Sequence, residues 1–308
     1  MVAQPHLLVA AAAGAAGVGH GRLVQAAAGV QDHVAQGQRP AGAPGIAVEH
    51  QRRVGEPHAG PERQPGQARQ QPGQGHRAGP GQAQRRRREL PEAAGAARLE
   101  LCADYHVGGV TPALADLKRL SPLFANEDTG LRGLRVPAVV MLRERGGDFS
   151  YSKKEKKWMI ETLKLIAKLG FQGVVFGALE KKSGRWGLDR AFCAHACELA
   201  HSLGLEAVLH RAFDELPTPF NAIDDAEGCG FDRILTGWGS MKMETLKMLK
   251  WHAQHIEILP GGGIRPENVM HYKDLGFIEV HTSSRNHQGV LDVEQLKAMV
   301  DAMKGVPL

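Results

Sequence analysis

Residues 233–263 read RILTGWGSMKMETLKMLKWHAQHIEILPGGG, and the fold follows from them. RILT (233–236) and EILP (257–260) are short apolar runs of the kind a buried strand needs. Between them, 241–255 carries apolar residues at intervals of three and four, the period of an amphipathic helix. A strand, a helix and a second strand in that order predict a parallel pair with the helix as crossover.

The same grain continues on both sides. Further strands are expected at 98–102 (RLELC), 136–143 (VPAVVMLR), 173–178 (GVVFGA), 206–210 (EAVLH) and 279–282 (EVHT). Helices are expected at 154–169, 189–203 and 265–275, with Gly170, Gly204, Gly230 and Gly276 as C-caps just before the next strand. Seven βα units in about 210 residues favour a TIM-type (β/α)₈ barrel of the α/β class over a doubly wound sheet. The count is one short. A first strand should precede Arg98, and the one strand-like piece there, 45–50 (GIAVEH), has no amphipathic helix after it, so the first βα unit reads as missing or replaced.

The 308 residues divide at about position 95. Residues 1–95 contain no Phe, Trp, Tyr, Cys, Lys, Ser, Thr or Asn, and their 11 Arg against 6 Asp plus Glu account for the whole net charge of +5. The remainder is electrically balanced, which removes the compositional argument for nucleic-acid binding by the barrel. The first 95 residues read as a disordered, low-complexity tail, or as a GC-rich region translated from a misassigned start. Within it, 7–18 (LLVAAAAGAAGV) resembles a short signal h-region without its basic flank, and Arg85–Arg88 resembles a nuclear signal. No run of 18 apolar residues exists, so no membrane span is expected, and four cysteines suit a reduced, cytoplasmic setting better than a disulfide framework.

Side chains at the C-terminal ends of barrel strands build the active site of this fold. Those positions hold Glu100, Cys102, Arg143, Arg145, Asp148, His210, Arg211, Asp214 and His281. Unpaired charges at one mouth imply a bound anion, unless Asp148 and Asp214 serve as structural partners for the arginines. Gly261, Gly262, Gly263 and Ser283 lie in the loops after the last two strands, the usual phosphate site of the fold, where a following helix N-terminus would add positive potential. Cys193, Cys197 and His201 share one helical face and could take a soft metal, although small buried thiols are the plainer reading. Cys102 is the best placed thiolate candidate, with Met141 or His106 as its nearest second ligands in sequence.

In order and spacing, GAARLELC, GGVTP, RERGGDFSYS, VVFGAL, LHRAFDELP, GFDRILTGWG, LPGGGIRPEN and EVHTSSR resemble the CutC family of copper homeostasis proteins. The resemblance runs from about Gly95 to the C-terminus. It implies a TIM barrel, cytoplasmic location, oligomers and Cu(I) as partner. It also implies that Glu100, Cys102, Arg143, Arg145, Asp148, His210, Arg211, Asp214, Gly261–Gly263 and His281 are shared mouth residues. Arg143-Glu144-Arg145 stands where the family has Arg-Pro-Arg, Thr282 stands where some members have cysteine, and the insert after the last strand is shorter here. Three functions follow as expectations: Cu(I) handling centred on Cys102, a barrel enzyme acting on a phosphorylated or carboxylated metabolite with His210 or Glu100 as acid or base, and a non-functional product of a misassigned start.

Overall fold

The computed structural model describes residues 6–12, 94–124, 136–237, 243–287 and 290–305. In chain order the elements are β1 (His6–Ala12), β2 (Arg98–Cys102), α1 (Leu114–Phe124), β3 (Ala138–Met141), α2 (Lys153–Lys168) and β4 (Gly173–Phe176). A hairpin, β5 (Leu179–Lys182) and β6 (Arg185–Leu188), precedes α3 (Arg190–Ser202), β7 (Glu206–Leu209), α4 (Pro219–Cys229) and β8 (Arg233–Thr236). The chain continues with α5 (Met243–His252), β9 (Glu257–Pro260), α6 (Val269–Asp274), β10 (Glu279–Thr282) and α7 (Val293–Lys304).

Eight strands form one sheet in the order β10-β1-β2-β3-β4-β7-β8-β9, and every pairing in it is parallel. Its two end strands, β9 and β10, come within 8 Å of each other at their Cα atoms, so the sheet curls round as the expected barrel does. The slot for a first strand is filled by β1, whose backbone pairs with β10 from His6 to Val9 and with β2 from Leu8 to Ala12. That strand comes from the stretch that resembled a signal h-region. The alternative, 45–50, lies outside the described residues.

Residues on each strand alternate between two environments, as the pleat requires. Leu99 and Leu101, Ala138 and Val140, Val174 and Phe176, and Ala207 and Leu209 face the helices and join the main core. The alternate positions Cys102, Val139, Met141, Val175 and Val208 form a small apolar cluster of their own inside the barrel. The hairpin β5–β6 was not expected from the sequence. It turns at Ser183 and Gly184, both at positive φ, which is what a two-residue turn demands. Gly170, Gly204, Gly230 and Gly276 all have positive φ at helix ends, as expected.

Candidate functional site

The inward register of the strands runs on past their ends and delivers the buried polar groups of the barrel mouth. On β2 it gives Glu100 and Cys102; beyond β3 it gives Arg143; beyond β7, His210; on β10, His281. Glu100, Arg143 and His210 are each 3% exposed and His281 is 6% exposed. His281 Nε2 lies 3.3 Å from Glu100 Oε2, but neither atom makes a hydrogen bond of sound geometry. The Arg143 guanidinium is held by carbonyl oxygens: Nη1 donates to Val107 and Gly109 at 3.1 Å each, and Nη2 donates to Gly147 at 2.6 Å. Its Nε has no hydrogen-bond partner among the described residues. Phe149 lies under Arg143 at 4.6 Å and against the His210 ring at 4.7 Å.

His210 is held neutral. Burial, reinforced by Arg143, pushes its pKa down to about 3. Its Nδ1 accepts the Ala212 N–H at 3.2 Å, which leaves the ring proton on Nε2, and that atom is buried without a hydrogen-bond partner among the described residues. A β-carbon at Gly177 would meet Leu209 Cδ1 at 2.5 Å and His210 Nδ1 at 3.1 Å, so the glycine lets the His210 ring sit close against β4.

Two further residues complete the mouth, and sequence reasoning did not single them out. Arg285 stacks on the Tyr105 ring at 3.8 Å, and both the Arg285 Nε and the Tyr105 hydroxyl are buried without a hydrogen-bond partner among the described residues. Burial pushes the Tyr105 hydroxyl well up, so it stays protonated. The residue before each is a non-glycine with positive φ: Asp104 at 44° and Ser284 at 43°. Left-handed backbone at such residues costs about 1–3 kcal/mol and persists where surrounding contacts impose it.

The other candidates are paired off at the rim, as the structural alternative had it. Arg145 Nε donates to Glu155 Oε1 at 2.6 Å and its Nη2 to Asp148 Oδ1 at 3.2 Å. Arg211 Nε donates to Asp214 Oδ2 at 2.8 Å, while Asp214 also accepts from Thr236 Oγ1 and the Gly237 N–H. These four side chains hold loops. In the glycine run, the Gly261 N–H is taken by the Thr236 carbonyl at 2.8 Å, and Gly262 and Gly263 adopt φ of 82° and 69°. The helix expected from 265 begins at Val269, and its N-cap residue Asn268 donates from Nδ2 to the Gly263 carbonyl at 2.9 Å, which ties the helix start to the glycine run. Ser283, just after β10, lies beside Tyr105.

Cys102 is fully buried, and burial, with Glu100 adding to it, pushes its thiol well above the usual range. It is therefore a neutral thiol in this arrangement and not a thiolate. A β-carbon at Gly109 would touch Cys102 Sγ and Met141 Cε, each at 3.6 Å, so a thiol and a thioether flank the same glycine. His106, the other nearby candidate, is exposed. Cys193 and Cys197 pack in the core, while His201 points to the surface and pairs with Asp232 at 3.0 Å, so the helical trio does not assemble. Among the described residues, no group of three or more His, Cys, Asp or Glu is arranged to hold a metal ion.

The model of the CutC family matches residues 88–307. The chain belongs to the CutC family. A family protein CutC of Pasteurella multocida (strain Pm70) is 34% identical over 205 residues, which is 65% of this chain and 78% of that protein. The copper homeostasis protein cutC homolog of Mus musculus is 33% identical over 201 residues, 63% of this chain and 68% of that protein. Among solved structures, a CutC protein from Streptococcus agalactiae superposes with a TM-score of 0.53 at 28% identity, covering 60% of this chain and 88% of that one. The CutC match thus spans β2 to α7 and leaves β1 outside it. Among the described residues of this CutC-family barrel, no helix is long and apolar enough to cross a membrane.

Proposed function

We propose that the barrel mouth binds a small phosphorylated or carboxylated metabolite and moves a proton on it through Glu100 and His281. One observation carries this reading. Six buried polar atoms around the mouth have no hydrogen-bond partner among the described residues: Glu100 Oε2, Tyr105 Oη, Arg143 Nε, His210 Nε2, His281 Nε2 and Arg285 Nε. Buried polar groups are almost always paired, and each orphan costs about 1–3 kcal/mol. Concentrating so many at the strand ends is sustained by a ligand that completes them. Two arginines, a neutral His210 able to donate from Nε2, and a protonated tyrosine are donors suited to an anion. Glu100 and His281, 3.3 Å apart, are the acid–base pair.

Thermal unfolding with increasing phosphate, acetate and their organic esters and acids tests this. A rise in melting temperature that saturates, and that Arg285→Gln abolishes, is the expected result. No shift up to tens of millimolar, roughly the limit of weak binding, would remove the reading.

A second reading is Cu(I) handling in the cytoplasm, with the ion as cargo. The names of the mouse and human relatives favour it, as does the placement of Cys102 and Met141 against Gly109. Soft thiol and thioether donors suit Cu(I), but the Cys102 proton has to leave on binding. Competition for Cu(I) against a chelator, with Cys102→Ser and Met141→Leu, separates the two readings. Copper binding would vanish with Cys102→Ser, whereas anion binding would survive it.

A further inference from the structure

Beside the mouth lies a cavity of about 310 Å³ lined by Gly147, Asp148, Phe149, Leu179, Trp186 and Glu215. Its size is at the low end of small-molecule sites, which run from about 300 to 1,000 Å³. Two of its walls are tied to Arg143. The Gly147 carbonyl accepts from Arg143 Nη2, and the Phe149 ring lies against both Arg143 and His210. The far wall is Trp186, carried by the hairpin β5–β6 and 41% exposed. Two aromatic faces and a leucine make an apolar slot, and two carboxylates supply acceptors at its edge. Asp148 already pairs with Arg145, so the slot is not strongly negative and does not call for a cation.

We infer that this cavity holds the hydroxylated tail of the ligand whose anionic end the mouth binds, which makes the substrate class a sugar or polyol bearing a phosphate or carboxylate. The inference rests on the anion reading above. The C–H faces of a sugar pack on aromatic rings, and its hydroxyls donate to carboxylates, which matches Phe149, Trp186, Asp148 and Glu215. A bare anion fills the mouth and leaves the cavity unused. Trp186 and Glu215 therefore determine specificity and stand outside the proton-transfer pair.

Calorimetric titration of the full chain with four probes tests the assignment. Inorganic phosphate and acetate are the bare anions; ribose 5-phosphate and gluconate are their hydroxylated counterparts. At least one hydroxylated probe is expected to bind about tenfold tighter than its bare anion, a difference of one hydrogen-bonded, stacked contact set. Trp186→Ala and Glu215→Gln should each erase that preference while leaving the bare-anion affinity unchanged, and Trp186→Phe should restore most of it. Both positions are exposed enough for the fold to tolerate the changes. Bare anions binding as tightly as their hydroxylated counterparts, or Trp186→Ala weakening both alike, would overturn the inference and leave the anion reading standing. Failure of all four probes to bind would overturn both.

Discussion

The two ends of the barrel treat charge in opposite ways. At the floor, the first residues of four strands close into one network. Glu206 on β7 accepts from Arg98 on β2 and from Arg233 on β8, and Arg233 donates again to Glu279 on β10. These side chains are 16–21% exposed, and each carboxylate faces a guanidinium. At the mouth, the Glu100 and His281 side chains are only 4% and 7% exposed, yet their facing atoms, like Arg143 Nε and Arg285 Nε, lack hydrogen-bond partners among the described residues. Burial is deeper where pairing is poorer. A protein arranged for stability alone would do the reverse. The floor network is complete within the folded chain, whereas the mouth leaves buried polar atoms without partners among the described residues.

Variants at the two ends should break differently. The largest effect is expected from Glu206→Gln, which leaves Arg98 and Arg233 short of their shared partner. Urea unfolding should show a loss of about 3 kcal/mol, the scale for breaking a largely buried pair from one side. A loss below about 0.5 kcal/mol, the level of ordinary surface changes, would mean that the floor network is ornamental. Next comes pH. The unfolded chain protonates His210 near 6.5, whereas the folded chain resists until about 3. Stability is therefore full above pH 6.5 and falls as pH drops through that window, by up to about 1.4 kcal/mol per unit. His210→Asn, which keeps an acceptor for the Ala212 N–H, should flatten this slope; an unchanged slope would assign acid sensitivity elsewhere.

Glu100→Gln should change stability by no more than about 1 kcal/mol in either direction, because it removes a buried charge whose Oε2 has no hydrogen-bond partner among the described residues, and should abolish turnover of any ligand found. A loss as large as that of Glu206→Gln would erase the contrast between floor and mouth. Smallest is the thiol test. All four cysteines are free and buried, with thiols held protonated. A thiol reagent at pH 8 should leave the native chain almost unlabelled and modify it fully in urea.

Much of this arrangement was legible from residue order. The strands expected at 98–102, 233–236, 257–260 and 279–282 have those bounds in the structure, and each opens on a charged residue, Arg98, Arg233, Glu257 or Glu279, ahead of its apolar run. The period-two register also points to Glu100, Cys102, Arg143, His210 and His281 as inward. It could not show that Arg145, two residues beyond Arg143, is taken by Glu155 on the next helix. Tyr105 and Arg285 escaped because turns at Asp104 and Ser284 bring them together, and non-glycine residues at positive φ carry no signal in the sequence. The late start of α6 has a local cause: the Asn268 side chain accepts the Arg265 N–H at 2.9 Å and holds the preceding turn out of the helix.

Glu155 has two jobs. It caps α2, accepting the Ser152 N–H at 2.7 Å through Oε2 in a capping box, while Oε1 accepts from Arg145 Nε. These bonds hold its carboxyl down at about 2, so it stays charged throughout the working range. The loop it anchors carries Gly147, which holds Arg143, and Phe149, which walls the cavity. Swinging that loop outward therefore means fraying the first turn of α2 in the same event. The amides of 144–150 and of that turn should exchange with solvent as a single opening unit. The rate of that opening would then set how long a bound molecule resides in the mouth, a kinetic latch whose strength can be tuned from a helix cap without touching the pocket.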